Sequence, residues 1–302
     1  MSTRPPYLPF TEGPWRMTMG LLAMKPQDWI EIDREYESYL AEKRRLLAER
    51  RDAVFATLPG SEAATRELQD NLAGFLAERF PERFRLEGRL LRRLTDGEAW
   101  DLDDPSEHPL ARAGLWVQED FCVLESAGPG EPYVLTAATL SFPTRWKLAD
   151  KIGRPLLAIH APVPGYAERL GRPVDRFFEK LAPERPVWRI NWSLTDEPTL
   201  FQPEGHGRKE ADPSITAENA GERVWLRVER QTLRRLPSSG AVIFGIRIYR
   251  HPLSSLAAAP EAAGHLARWL GELPEDLARY KSLPVFGVAA RAYLQKLACV
   301  EA

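Results

Sequence analysis

Cysteine is scarce in this chain: Cys122 and Cys299 are the only two, and they lie far apart. Two thiols cannot build a cysteine-only zinc or iron–sulfur site, and such sparse use suits a reducing compartment. Long apolar runs are also missing. No stretch approaches the roughly 20 apolar residues that cross a bilayer. The opening Met1-Ser2-Thr3-Arg4-Pro5-Pro6 and Tyr7-Leu8-Pro9-Phe10 hold no continuous apolar segment of the secretory kind. A cytoplasmic location with no membrane partner is therefore expected. Neither sign of charge dominates; the formal net charge is -2, which gives no reason to expect nucleic acid. The G-x-G-x-x-G and Walker A loops, the G-x-S-x-G elbow, the H-E-x-x-H pair and the C-x-x-C-H attachment motif are all absent.

What is present is a 302-residue chain with a 44% hydrophobic share, 26 prolines and nine tryptophans. That length suits one large or two ordinary domains. Many prolines mean many fixed turns, and many tryptophans offer flat surfaces to a core or a planar ligand. The stretch from Pro5 to Leu22 is irregular and reads as an arm laid across another surface. Asp28 to Arg51 reads as a helix with Trp29, Ile32, Tyr36, Tyr39, Leu40, Lys43 and Leu47 near helical spacing. A second helix is expected from Glu62 to Arg79, stopped by Pro81. Phe84 to Leu94 is compatible with either strand or helix, and Asp101 to Pro109 reads as a solvated acidic loop.

From Leu115 the periodicity changes. Trp116 to Glu125 and Tyr133 to Phe142 read as a hairpin around Gly128-Pro129-Gly130-Glu131. Val174 to Leu181 is a short helix, Trp188 to Leu194 a strand, and Phe201 to Glu222 a polar loop. Trp225 to Arg234 and Ala241 to Tyr249 are expected to pair antiparallel around Pro237-Ser238-Ser239-Gly240. Three helical pieces close the chain, Pro260 to Leu270, Glu275 to Lys281 and Val285 to Ala298. About five segregated strands between helical ends indicate an α+β class with a mostly antiparallel sheet. One domain over 1–302 is the expectation: a helical part over about 1–110, a sheet-rich core over about 111–250 and a helical tail over about 251–302.

His160 is the first candidate functional residue. It follows the apolar, strand-like run Leu156-Leu157-Ala158-Ile159 and precedes Ala161-Pro162-Val163-Pro164-Gly165-Tyr166, a rigid turn. A wall of this kind can present one nitrogen ligand to a haem iron. The alternative is a core histidine bonded to a backbone carbonyl. Cys122, inside a strand, is the rival ligand, though a buried cysteine is usually a small hydrophobe. The second candidate is the strand from Arg227 to Arg235. Alternation puts Arg227, Glu229 and Gln231 on one side, with Val228 and Arg230 on the other. A Glu229–Arg227 pair in a pocket could orient a small cationic amine, whereas on an open sheet face it is only a salt bridge. Arg145-Trp146-Lys147 and Lys151 are cations suited to carboxylates or to solvent. Tyr249 shares a face with Arg247 and is a potential hydrogen-bond donor to a substrate, or a core tyrosine.

Several motifs occur in one order. They are Phe142-Pro143-Thr144-Arg145-Trp146, Lys151-Ile152-Gly153-Arg154-Pro155, Ile159-His160-Ala161-Pro162-Val163-Pro164-Gly165-Tyr166, Trp188-Arg189-Ile190-Asn191-Trp192, and Arg227-Val228-Glu229-Arg230-Gln231-Thr232-Leu233-Arg234-Arg235-Leu236-Pro237. Together with Met19-Gly20-Leu21 and the Trp29 helix, they resemble the haem-binding alpha subunit of the haem-dependent oxidative N-demethylase family. The resemblance runs from about Pro9 to Tyr249. It implies a PAS-like antiparallel sheet that binds haem b (iron protoporphyrin IX), with His160 as the iron ligand. Arg145, Lys151 and Trp192 would contact the cofactor, and Glu229, Arg227 and Tyr249 would form the catalytic side. The implied reaction is O2-dependent N-demethylation of a dimethylamine-like amine, with formaldehyde released through an iminium or carbinolamine. Electrons would come from NADPH through FMN and 2Fe-2S carried by separate reductase subunits. A non-catalytic PAS-like haem gas or redox sensor is the alternative reading.

Overall fold

The computed structural model describes residues 4–299. Ten strands occur among them: β1 Leu22–Ala23, β2 Phe55–Thr57, β3 Phe84–Glu87, β4 Leu90–Arg93, β5 Ala99–Asp101, β6 Asp120–Glu125, β7 Val134–Thr139, β8 Val187–Thr195, β9 Trp225–Arg235 and β10 Val242–Pro252. Seven form one antiparallel sheet in the order β1-β8-β9-β10-β6-β7-β2. β3, β4 and β5 form a separate small sheet, so the ambiguous stretch near Phe84 is a hairpin. Helix and antiparallel sheet are mixed as an α+β class requires.

The helices follow their apolar spacing. In Glu62–Arg79, Leu68, Leu72 and Leu76 are buried at four-residue intervals, with Thr65, Gln69 and Ala73 beside them. The first long helix begins at Tyr36, later than Asp28. Before it come a short 3-10 turn, Pro26–Asp28, and an irregular stretch in which the Glu31 amide donates to Glu119 Oε1 at 2.9 Å and the Asp33 amide to Gln118 Oε1 at 3.2 Å. Tyr36, Tyr39, Leu40, Lys43 and Leu46 make up its buried stripe. Lys43 survives there because Asp120 lies 3.1 Å from its ammonium, and both are sealed from solvent.

β9 and β10 are the longest strands, in register from Trp225↔Pro252 to Arg235↔Val242. Gly240, at φ 72°, closes the turn between them. The register fixes which side chains share a face. Arg227, Glu229, Gln231 and Leu233 of β9 stand beside Ser193, Asn191, Arg189 and Val187 of β8, and opposite Arg250, Ile248, Ile246 and Phe244 of β10. The other face carries Val228, Arg230 and Thr232 with Trp192, Ile190 and Trp188. The N-terminal arm covers that second face. Phe10 packs edge-on against Trp192 with centroids 5.1 Å apart, and Tyr7 against Trp188 at 5.8 Å. A separate apolar cluster on the first face includes Tyr39, Leu124, Leu135, Phe142, Leu148, Leu156 and Phe178.

Gly245 marks where β10 presses on β9. A Cβ there would sit 2.5 Å from Thr232 Oγ1, a branched side chain that turns with difficulty. Gly245→Ala is expected to lower stability by about 1–3 kcal/mol through overpacking. Thr232→Ala removes a hydroxyl that has no partner. Added to Gly245→Ala, it should recover most of the loss, as read from urea denaturation midpoints of the two single variants and the double variant.

Candidate functional site

His160 caps a single helical turn, Leu156–Ile159. The apolar run before it is thus a turn of helix and not the strand its composition suggested. Pro155 opens the turn, the Leu156 amide donates to Tyr133 O at 3.1 Å, and the His160 amide closes back on Leu156 O at 3.1 Å. The same carbonyl lies 2.8 Å from His160 Nδ1. A carbonyl only accepts, so Nδ1 carries the proton and the Nε2 lone pair is left free. Nε2 has no hydrogen-bond partner among the described residues. Burial pushes the imidazole below its usual pKa, and the charges of Lys151 and Arg189 push the same way. The ring is a neutral nitrogen donor near neutral pH. Tyr166 stacks on it with centroids 4.3 Å apart and planes 11° apart. Gly165, at φ 74°, folds the chain back to bring Tyr166 there.

Arg189, whose charge reaches this imidazole, shares the first face of the sheet with a polar group around Glu229. Glu229 is 8% exposed. It accepts from Gln231 Nε2 at 2.7 Å, from Asn191 Nδ2 at 3.2 Å and from the Thr144 hydroxyl. Thr144 Oγ1 in turn accepts from Arg227 Nε at 3.0 Å. Arg227 and Glu229 therefore communicate through a hydroxyl rather than by direct contact. The rest of the Arg227 guanidinium ties down backbone, bonding the carbonyls of Phe142, Pro143, Thr199 and Leu200. Burial lowers its pKa to about 10.

Arg189, beside Asn191 on β8, is different. Its Nε is buried and has no partner, and burial depresses its pKa while Glu229 opposes the shift. Lys281 Nζ donates to Trp192 O at 2.9 Å and lies 5.0 Å from the Trp192 ring centroid. Burial brings its pKa down to about 8, with Arg145 and Arg189 nearby. Tyr280 feels the charge of Glu229, and burial raises its phenol to about 12. Its ring stacks on His206 at 4.3 Å. His206 sits on an exposed rim, bonded through Nδ1 to Tyr280 O at 3.0 Å. Desolvation of the stacked ring lowers its pKa, and the charges of Arg145, Lys281 and Lys151 push the same way. Cations thus outnumber the single carboxylate of Glu229 here.

The expected site residues fall into two groups. His160, Lys151, Arg145, Arg227 and Glu229 lie in this neighbourhood. Lys151 Nζ donates to Ile159 O, next to His160. Arg145 adopts a left-handed backbone at φ 60°. It spends its guanidinium on Lys281 O at 2.9 Å and Leu194 O at 3.2 Å, bracing Lys281. Trp192 and Tyr249 project from the opposite face: Trp192↔Val228 and Tyr249↔Val228 are cross-strand partners, one residue out of phase with Glu229. The Tyr249 hydroxyl bonds Glu31 under the N-terminal arm. Cys122 is buried in β6, and burial pushes its thiol far up, so it stays protonated. Thr144, Arg189, Tyr280, Lys281 and His206 were not singled out from sequence. Alternation along β8 could have found Arg189, since it shares a face with Asn191. Nothing local marks Tyr280, Lys281 or His206.

Among the described residues, no group of three or more His, Cys, Asp or Glu could hold a metal ion, and no helix is long and apolar enough to cross a membrane. A family model described as "Haem-dependent oxidative N-demethylase, alpha subunit-like" matches residues 20–291.

The Thr144 hydroxyl links two charged groups that have little other slack. Thr144→Val leaves Arg227 Nε and one Glu229 oxygen short of a partner, and should cost about 1–3 kcal/mol. Thr144→Ser should restore most of it. Chemical denaturation of the two variants checks this; equal midpoints would show that the hydroxyl bridges nothing.

Proposed function

The chain belongs to the haem-dependent oxidative N-demethylase, alpha subunit-like family, and on that footing we propose that it demethylates a small secondary amine at a haem b held by His160. The observation that carries the reading is the His160 imidazole, its Nδ1 tied to Leu156 O and its Nε2 free. An axial ligand of haem needs that state, because the second ring nitrogen must be protonated and occupied elsewhere. The surrounding residues fit the rest of the group. Haem carries two propionates, and Arg189 is a half-buried cation whose buried Nε has no partner among the described residues. Lys281 and Lys151 lie in the same neighbourhood, and among the described residues neither has a carboxylate within ion-pair distance. An anionic carboxylate would relieve each of them. In this reading the antiparallel sheet is a PAS-like scaffold within one haem-binding unit over 1–302.

When bound, the haem supplies the oxidation of an N-methyl carbon by O2, after which the demethylated amine and formaldehyde separate. The chain's own residues would place the amine. A dialkylamine is cationic in neutral water, and Glu229 is the carboxylate available to it among the cations. Gln231, Asn191 and Thr144 hold that carboxylate in one orientation, so little reorganisation accompanies binding. Glu229 would pair with the ammonium and take its proton at a carboxylate oxygen, leaving the nitrogen lone pair beside the carbon to be oxidised. Arg227, working through Thr144, keeps Glu229 from turning away. The family name specifies an alpha subunit, which implies other subunits. These are proposed to carry FMN and 2Fe-2S and to pass electrons from NADPH.

Purified protein loaded with haem should show a Soret band, and His160→Ala should lose it. With an NADPH-dependent flavin and iron–sulfur reductase, dimethylamine should yield formaldehyde. Glu229→Gln should cut that yield by about 10²-fold or more while leaving the haem spectrum in place. Full turnover in Glu229→Gln would contradict the assigned role. Haem binding with gas-dependent changes but no turnover of any small amine would favour a sensor.

A further inference from the structure

We infer that Tyr166 is the positioning residue of the axial imidazole: its stacked ring fixes the plane in which His160 meets the haem, and so sets the iron's ligand field and the hold on the cofactor. The inference rests on the haem reading above and adds a residue to it.

Two restraints act on the His160 ring, and they act in different directions. The Nδ1 bond to Leu156 O is 2.8 Å long. It fixes which nitrogen points outward, but a single bond still lets the ring rock about it. Tyr166 supplies the missing restraint from the face. With centroids 4.3 Å apart and planes 11° apart, any rocking drives the imidazole edge into the phenol ring. Offset-stacked and edge-to-face pairs are both favourable; among the described residues the near-parallel pairs are this one and His206–Tyr280 at 19°.

Tyr166 is itself firmly held. It is 7% exposed, its amide donates to Val163 O at 3.2 Å, and it leads into the continuous helical run of Ala167–Gly171 and Arg172–Lys180. A ring anchored to a helix makes a rigid stop. Its hydroxyl is within electrostatic range of Arg189 and Asp175, and burial keeps it protonated. The π orbitals of an axial imidazole overlap iron d orbitals in a way that depends on the ring's rotation about the iron–nitrogen axis. One fixed plane gives one ligand field, whereas a rocking ring gives a spread.

The test compares Tyr166→Phe and Tyr166→Leu, with Tyr166→Met as an unstacked replacement if the leucine variant does not fold. Circular dichroism establishes the fold first. Ferric protein with azide is then read by electron paramagnetic resonance, and haem loss is timed with excess apomyoglobin. Tyr166→Phe should keep the wild-type g values and rate, because the ring remains. Tyr166→Leu or Tyr166→Met should broaden or shift the g values and speed haem loss about three- to tenfold, the size expected for one lost aromatic pair. A folded, unstacked variant with wild-type g values and an unchanged rate overturns the inference alone. A Soret band that survives His160→Ala overturns the haem reading and this inference with it.

Discussion

The hydrogen bond from His160 Nδ1 to Leu156 O decides what the site can be. A neutral imidazole has one donor and one acceptor, and this bond assigns them. The acceptor is then available to a metal, and burial beside two cations keeps it from taking up a proton instead. The bond exists because the chain makes one helical turn between Pro155 and His160, so the carbonyl four residues back lies under the ring. Had the run stayed extended, that carbonyl would point to a neighbouring strand. The imidazole would then lack both its tautomer and its anchor.

The sheet divides the molecule electrostatically. β9 places Arg227, Glu229 and Gln231 toward the apolar cluster on one face and Arg230 toward the N-terminal arm on the other. On the arm side most charges are paired, although Arg247 Nε has no partner among the described residues. Arg230 bonds Trp29 O at 3.2 Å and lies 3.2 Å from Glu31, and Arg247 lies 2.7 Å from Asp33. On the site side Arg189 Nε and Arg250 Nε likewise have no partner among the described residues, and Lys281 Nζ donates to Trp192 O at 2.9 Å. The same division separates Glu229 from Tyr249, which alternation on adjacent strands sends to opposite sides.

Much of the fold was legible because the spacing is regular. Leu68, Leu72 and Leu76 gave the Glu62–Arg79 helix its face, and Pro81 its end. Gly240 and its neighbours gave the β9–β10 turn, and period-two alternation put Glu229 with Arg227. The start of the first long helix was less legible, since residues before Tyr36 are drawn onto Gln118 and Glu119, more than 80 positions away. The site was read through His160, Glu229 and the motif order. Its remaining members come from afar: Arg145 braces Lys281 across 136 positions and His206 meets Tyr280 across 74. Local patterning carries no trace of such pairings, because each partner looks like an ordinary surface cation or loop residue on its own. Tyr249 stayed in the reading because strand register, not composition, decides its face.

The proton on His160 gives the most direct check. Nitrogen-15 NMR of histidine-labelled, haem-free protein near neutral pH reports which ring nitrogen is protonated. The account predicts a neutral ring with hydrogen on Nδ1 and a bare lone pair on Nε2. Hydrogen on Nε2, or on both nitrogens, would contradict it.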